Sequence, residues 1–278
     1  MTEETKINPL IVKMNKSNAM PGMTFRLPSR GVQYTNGEID SDVQEGEILV
    51  HPMSTLDDIY LKTPDMLFQG TAIEQTVSRC CPQIKSPLDL LSKDVDYVLS
   101  CMRLVSYGNI LNVPFQCNCE KSKEIDVEVP INQFINKTKT ITKEELEKLK
   151  FELDGFLIEL QYVTFRTMLA LSQQNIESED NTPEEIFAKF IRNLSVNVKS
   201  IDGHTDQEII LEFLSAQKRQ FQMTLLDKVS DANHWGMNFD HAFTCKWCGE
   251  QRSVTVSLNP VSFFTERSNP VRLSKNAI

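Results

Sequence analysis

The chain has 278 residues, enough for one large domain or two of ordinary size. Its 40% apolar and 24% charged residues support a packed core and exclude disorder along the whole length, while 10 Gly and 12 Pro exclude collagen-like and Gly-rich low-complexity chains. Acidic residues outnumber basic ones 38 to 29, a formal charge of −9 that repels phosphate backbones, so nucleic acid is not an expected partner.

Residues 1–24 show no clean period and read as an extended N-terminal arm. Glu3, Glu4, Lys6, Lys13 and Lys16 break any signal-peptide core within it. The longest uncharged stretch, between Arg103 and Glu120, holds Ser106, Gly108, Asn109, Asn112, Pro114 and Gln116, so no spanning helix and a cytosolic start are expected. Phe25 to Gly31 reads as an extended segment closing in a turn, and Asn36-Gly37 as a second turn. Glu47 to His51 reads as a short strand. Ser54 and Thr55 can cap a helix with Asp57 and Asp58 in its first turn. Thr71 and Glu74 have capping-box spacing, opening a helix to about Arg79. A longer helix follows Ser92, with Val95, Val98, Leu99 and Met102 as its stripe and Gly108 as its stop.

Residues 111–130 read as a β-hairpin, with Phe115, Ile125, Val127 and Val129 as strand residues. A short capped helix is expected at 142–149, a strand from Phe156 to Val163 and a helix from about Thr164. Asn181 to Glu185 starts another helix, Pro183 just inside it and Ile186, Phe187, Phe190 and Leu194 along its stripe. Val196 to Ile201 reads as a strand ending at Asp202-Gly203, Asp206 to Val229 as one long helix, and 243–258 as a second hairpin. The tail from Phe263 is weakly patterned. Gly46 and Thr55 stand nine residues apart around a strand that leads into a helix, as do Gly155 and Thr164. A diverged duplication of strand, helices and cysteine-bearing hairpin explains this, and so does chance matching of common turn residues.

Seven cysteines, an odd number, argue against a disulfide framework. Cys80, Cys81 and Cys101 sit in apolar-periodic stretches and read as small buried hydrophobes. The other four form two closely spaced pairs, Cys117-Asn118-Cys119 and Cys245-Lys246-Trp247-Cys248. Phe115 and Phe243 each precede a pair by two residues. After each pair come a polar turn, an alternating strand and a proline, Pro130 or Pro260. Two such turns are the halves of a zinc ribbon: each points two thiolates at one ion, and together they close a tetrahedral, structural site of four thiolates. Gly249 suits the tight backbone of the second turn. Two alternatives stand beside this: a site in which His241 replaces one cysteine, and four unligated cysteines. The pairs are 125 residues apart, far beyond an ordinary ribbon.

No phosphate-binding loop, dinucleotide-binding turn, nucleophile elbow or His-Glu-x-x-His helix is present. His51, His204, His234 and His241 are few for acid–base work, and His51 and His204 read as surface or satisfied histidines. Glu177 to Asp180 reads as a solvated loop. Trp235 and Phe263-Phe264 suit an interface or a core equally.

The segment Phe25-Arg26-Leu27-Pro28-Ser29-Arg30-Gly31-Val32-Gln33-Tyr34 resembles the opening of the baseplate hub family of contractile-tailed bacteriophages. The family's strand and turn into a helix are matched by His51-Pro52-Met53-Ser54-Thr55. Asp89-Leu90-Leu91, Asp94-Val95-Asp96-Tyr97 and Arg103-Leu104-Val105-Ser106-Tyr107-Gly108 match its next elements, and Cys117 and Cys119 stand where its knuckle begins. The likeness is close over 25–130 and looser beyond. It implies a non-enzymatic virion or assembly protein of the tail baseplate hub, made and assembled in the host cytoplasm.

The resulting expectation is an α+β protein of two related strand-plus-helices halves, at 35–110 and 131–240. An arm and turn precede them at 1–34, a zinc-ribbon-like pair of hairpins at 111–130 and 241–260 joins them, and a tail follows at 261–278. Cys117, Cys119, Cys245 and Cys248 would hold a structural zinc. Leu27, Pro28, Arg30 and Tyr34 are the expected contacts with other hub proteins, while Arg103 and Tyr107 hold the core. A transient assembly chaperone absent from the mature virion is the alternative, and a zinc-dependent enzyme a third.

Overall fold

The computed structural model describes residues 22–119, 124–177, 182–259 and 263–264. The expected arm, apart from its last residues, and the tail beyond 264 lie outside the described residues, as does Pro260.

Strand β1 (Met23–Arg26) pairs antiparallel with β2 (Glu47–Val50), Phe25 opposite Ile48. The long connection between them is pinned where the Leu27 N–H donates to the Gly46 carbonyl at 2.9 Å. Gly46 has φ +69°, and a Cβ there would lie 3.0 Å from the Arg30 carbonyl carbon, so this crossing needs glycine. Helix α1 (Thr55–Leu61) starts at a full capping box, Ser54 and Asp57 each bonding the other's backbone N–H.

A five-residue helix α2 (Pro64–Phe68) was not expected, since so short a piece carries no period. Helix α3 (Thr71–Cys80) corrects the expected cap. Gly70, at φ +79°, is its N-cap, while Thr71 is already helical and donates its hydroxyl to the Met66 carbonyl. Helix α4 (Ser92–Tyr107) buries the expected stripe and stops at Gly108. Strands β3 (Ile110–Gln116) and β4 (Glu124–Pro130) form the first hairpin.

Two short helices follow, α5 (Ile131–Asn136) and α6 (Lys143–Glu147), the second on a Thr142–Glu145 capping box. Strands β5 (Lys150–Leu153), β6 (Phe156–Leu160) and β7 (Val198–Ile201) make one antiparallel sheet with β6 central. Helices α7 (Phe165–Glu177) and α8 (Pro183–Ser195) lie between β6 and β7 in the chain. The expected long helix is in fact two, α9 (Gln207–Ala216) and α10 (Arg219–Ala232). The buried Gln222 amide donates to the carbonyls of Leu214 and Gln217, so a side chain takes over carbonyls left open at the break. Strands β8 (Asp240–Thr244) and β9 (Gln251–Thr255) form the second hairpin.

The class is α+β, with helices around small antiparallel sheets. The apolar side chains form two cores. The first runs from Leu27 through α3, α4 and the β3–β4 hairpin to Phe134, then takes in Cys245, Val256, Phe263 and Phe264 from the far end of the chain. The second is built from Leu91 and from residues between Ile141 and Trp235. Phe263 and Phe264 are therefore core residues, and Trp235 packs edge-on against Tyr162 at 5.1 Å inside the second core. The two regions are tied by an isolated bridge between Leu91 and Thr164, flanked by Ser92 N–H to Val163 O (2.9 Å) and Phe165 N–H to Leu90 O (2.8 Å).

The two nine-residue frames have matching backbones. Glu45-Gly46 and Asp154-Gly155 are each consecutive positive-φ residues leading into a strand. His51 N–H, just past β2, bonds the Cys80 carbonyl after three helices, and Gln161 N–H, just past β6, bonds the Asn197 carbonyl after two.

Candidate metal centre

Cys117 and Cys119 follow β3, and Cys245 and Cys248 follow β8. The second turn is a tight knuckle. The Gly249 N–H donates to the Cys245 carbonyl at 2.8 Å, and the Cys245 N–H to the Glu250 carbonyl at 2.9 Å. Gly249 takes φ +73° with open space where a Cβ would stand, so glycine serves here for its backbone freedom alone. Phe115 and Phe243, the residues two before each pair, meet edge-to-face at 5.0 Å and 82°. That contact holds the two hairpins in register although they are far apart in the chain.

The four sulfurs converge. All lie within 4.8 Å of one another, and Cys117 Sγ is 3.9 Å from Cys248 Sγ. Four thiolates around one zinc at about 2.3 Å sit about 3.8 Å apart, so closing this cluster on an ion needs shifts of about 1 Å or less. Cys117 and Cys245 are buried, Cys119 is partly buried and Cys248 is exposed. All seven cysteines are free thiols. The N–H groups of Cys248 and Trp247 point at the Cys245 sulfur and hold its pKa down to about 7, favouring the thiolate a metal requires. Burial acts the other way on the remaining cysteines of the first core, pushing Cys80 up to about 12 and Cys81 and Cys101 upward as well. Those three are the inert packing thiols expected.

His241 takes no part in the cluster. It stands opposite Val254 in the β8–β9 ladder, and its Nδ1 is 2.6 Å from the Gln133 amide nitrogen. The alternative with His241 as a ligand is corrected accordingly. Spacing alone missed Arg252. It stands opposite Phe243 on the inward face of β9, with Nη2 donating to Glu250. The signal was the alternation of the strand: the period that turns Val254 and Val256 inward also turns Arg252 inward.

The opening segment forms a second polar cluster. The Ser29 N–H donates to Asp94 Oδ1 at 3.1 Å, and the Ser29 hydroxyl donates to Asp94 Oδ2. Tyr34 donates to the same Oδ2 at 2.5 Å and accepts the Leu91 N–H at 2.9 Å. Burial raises the Asp94 and Tyr34 pKa values together. Leu27 and Pro28 are buried, and Tyr34 packs against both cores, so these side chains are engaged within the chain. Arg30 is partly exposed at φ +58° on the turn, next to Val32, which is 53% exposed.

The remaining elements of the opening resemblance also have structural jobs. Arg103, 3% exposed, donates to the carbonyls of Phe263, Gly108 and Ile110 and lies 4.8 Å over the Tyr107 ring. Ser106 accepts the Met53 N–H, and Tyr107 donates to Asp58. Asp89 takes both arms of Arg166, tying the first region to α7.

A family model described as T4 bacteriophage base plate protein matches residues 53–265, well over half of the chain and all four clustered cysteines. The chain belongs to that family. No curated protein and no solved structure matches it. No helix among the described residues is long and apolar enough to cross a membrane.

Proposed function

We propose that this protein is a non-enzymatic component of the phage tail baseplate hub, which binds other hub proteins and promotes their assembly, and that a structural zinc clasps its two distant hairpins. The observation that carries the reading is the family match across both cysteine turns, taken with the convergence of their four thiols. A site with four protein ligands has no open position for water, so its contribution is to folding and shape. Such binding is worth on the order of 10 kcal/mol. The partner contact is carried by the Arg30–Val32 turn, which Leu27, Pro28 and Tyr34 hold in place from inside. Exposed apolar side chains on α8 and α9 (Ile186, Phe187 and Ile209) supply further contact area.

Elemental analysis of the purified protein should return one zinc per chain, and Cys245→Ser should lose it. Less than half an equivalent in the wild type would end the metal claim. Hub proteins of the same phage should retain the chain in a pull-down, and an Arg30→Glu, Val32→Asp variant should be retained poorly. No retention of the wild type would end the hub claim. Presence in purified mature tails would separate a virion subunit from a chaperone that departs.

A further inference from the structure

Beside the second core lies an apolar groove of about 210 Å³, lined by Phe156 of β6, Ile201 of β7 and Ile209, Ile210 and Phe213 of α9. Phe156 meets Phe213 edge-to-face at 4.9 Å, and Phe213 meets Phe221 of α10 at 5.8 Å, so ring packing fixes the lining. Ile209 is 52% exposed and leaves apolar surface open to water. Small-molecule sites usually measure about 300–1,000 Å³, so this groove suits one anchoring side chain better than a whole ligand. Its rim is acidic. Asp202 lines the groove, and Asp206 caps α9 through the Glu208 and Ile209 N–H groups. Glu208 and Glu212 stand one helical turn apart, each just before a lining residue, Ile209 or Phe213. All four carboxylates are exposed, and none has an ion pair among the described residues. The lysine of β7, Lys199, is taken by Glu159 at 2.6 Å. His204 is the only basic side chain among the lining residues. The neighbouring strand edge is closed: Ile201 and His204 exchange backbone bonds at 3.0 and 2.9 Å, and the Gln207 amide donates to the Val198 carbonyl at 3.1 Å. An added strand would find these groups of β7 already engaged, so recognition here runs through side chains.

We infer that this groove docks a basic amphipathic helix of another protein, with one apolar side chain seated against Ile209 and Phe213 and lysines or arginines facing the acidic rim. The inference deepens the proposed function and rests on it for the source of the helix, another protein of the baseplate. An amphipathic helix lays its apolar stripe into a groove and needs no free backbone from the receiving surface. The buried anchor supplies most of the affinity. The four rim carboxylates speed encounter with a basic segment and turn away an acidic one. Their attraction is exposed to solvent, so it weakens with salt, while the apolar contact does not.

The test uses the full-length protein and two synthetic probes: an amphipathic helical peptide of leucine and lysine, and its counterpart with glutamate at every lysine. Fluorescence anisotropy in low salt should show binding of the first peptide and none of the second. Ile209→Ser keeps every charge and should weaken that binding about tenfold. A Glu208→Lys, Glu212→Lys variant should also weaken it, and raising the salt should narrow its gap from wild type. All three residues are exposed, so both variants should fold. Hub proteins of the same phage should retain Ile209→Ser poorly. Equal binding of the two peptides, no binding of either, or an Ile209→Ser affinity within about twofold of wild type overturns the inference. A wild type that is dimeric in light scattering and monomeric as Ile209→Ser assigns the groove to a second copy and overturns it too. Hub proteins that retain wild type and Ile209→Ser alike overturn the inference and leave the hub reading standing. Hub proteins that retain neither, while the leucine–lysine peptide still requires Ile209, end the hub reading and uphold the groove's preference for a basic helix.

Discussion

Replacing Arg103 with methionine tests what holds α4 to the start of β3 and to the Phe263 segment. The substitution keeps most of the buried stem and removes the guanidinium. Three carbonyls then lose a donor: Phe263 O at 3.0 Å, Ile110 O at 3.2 Å and Gly108 O at 3.3 Å. The first bond lies near the usual optimum and the other two are long. Assigning about 2 kcal/mol to the first and about 1 kcal/mol to each of the others gives a loss of about 4 kcal/mol. The cation–π contact with Tyr107 adds to this. Urea unfolding followed by far-ultraviolet circular dichroism is the assay. With a slope near 3 kcal/mol per molar, the midpoint should fall by more than about 1 M. Arg103→Lys, which keeps one charged donor but not the fork, should recover only part. A loss below about 1 kcal/mol at unchanged slope would refute the assignment of Arg103 as the central tie, because the three carbonyls would then have found partners without it.

Asp96 is held up to about 6 by burial, against an opposing pull from Lys93. A carboxyl raised in the folded state contributes stability that is complete below its unfolded pKa near 4 and lost as pH rises through 6. Unfolding free energy measured from pH 4 to 7 should therefore fall by up to about 3 kcal/mol, and Asp96→Asn should flatten that slope. A double-mutant cycle on Phe115→Ala and Phe243→Ala should give a coupling of about 1 kcal/mol in chemical denaturation, and additive effects would mean that the hairpins are held elsewhere. Gly46→Ala should destabilise far more than Gly155→Ala when melting temperatures are compared. Both residues have positive φ, but only at Gly46 would the new Cβ press on backbone, that of Arg30 and Gly31. Equal shifts would show that backbone strain alone governs both sites.

The elements that sequence made legible are those whose signal is local. Ser54 and Asp57, Thr142 and Glu145, and Thr182 ahead of Pro183 declare their helices within four residues, and each appears as a cap. The alternation of Ile125, Val127 and Val129 declared β4 for the same reason. The misses arise where a distant group decides. The split between α9 and α10 depends on where the Gln222 side chain goes, and no Gly or Pro marks it. The cap of α3 passed to Gly70 because that residue reverses the chain between α2 and α3, leaving Thr71 inside the helix. At the site, pair spacing and the flanking phenylalanines located all four thiols. The opening segment illustrates the converse. Ser29 and Tyr34 look like surface polar residues in sequence, and only their common partner Asp94, 60 or more residues away, explains why they are turned inward.

The clasp between the two hairpins also imposes an order on biosynthesis. Cys117 and Cys119 leave the ribosome 128 and 126 residues ahead of Cys245. At about 5–20 residues per second, that is a wait of about 6–25 s during which the early thiols lack their counterparts. The first core has to remain open along one side for that interval, since its last strand and Phe263-Phe264 arrive only after the whole second core has been synthesised. A chain truncated between the two knuckles would hold two of the four clustered thiols and an unsealed apolar flank, so the late hairpin acts as the polypeptide's own proof of completion.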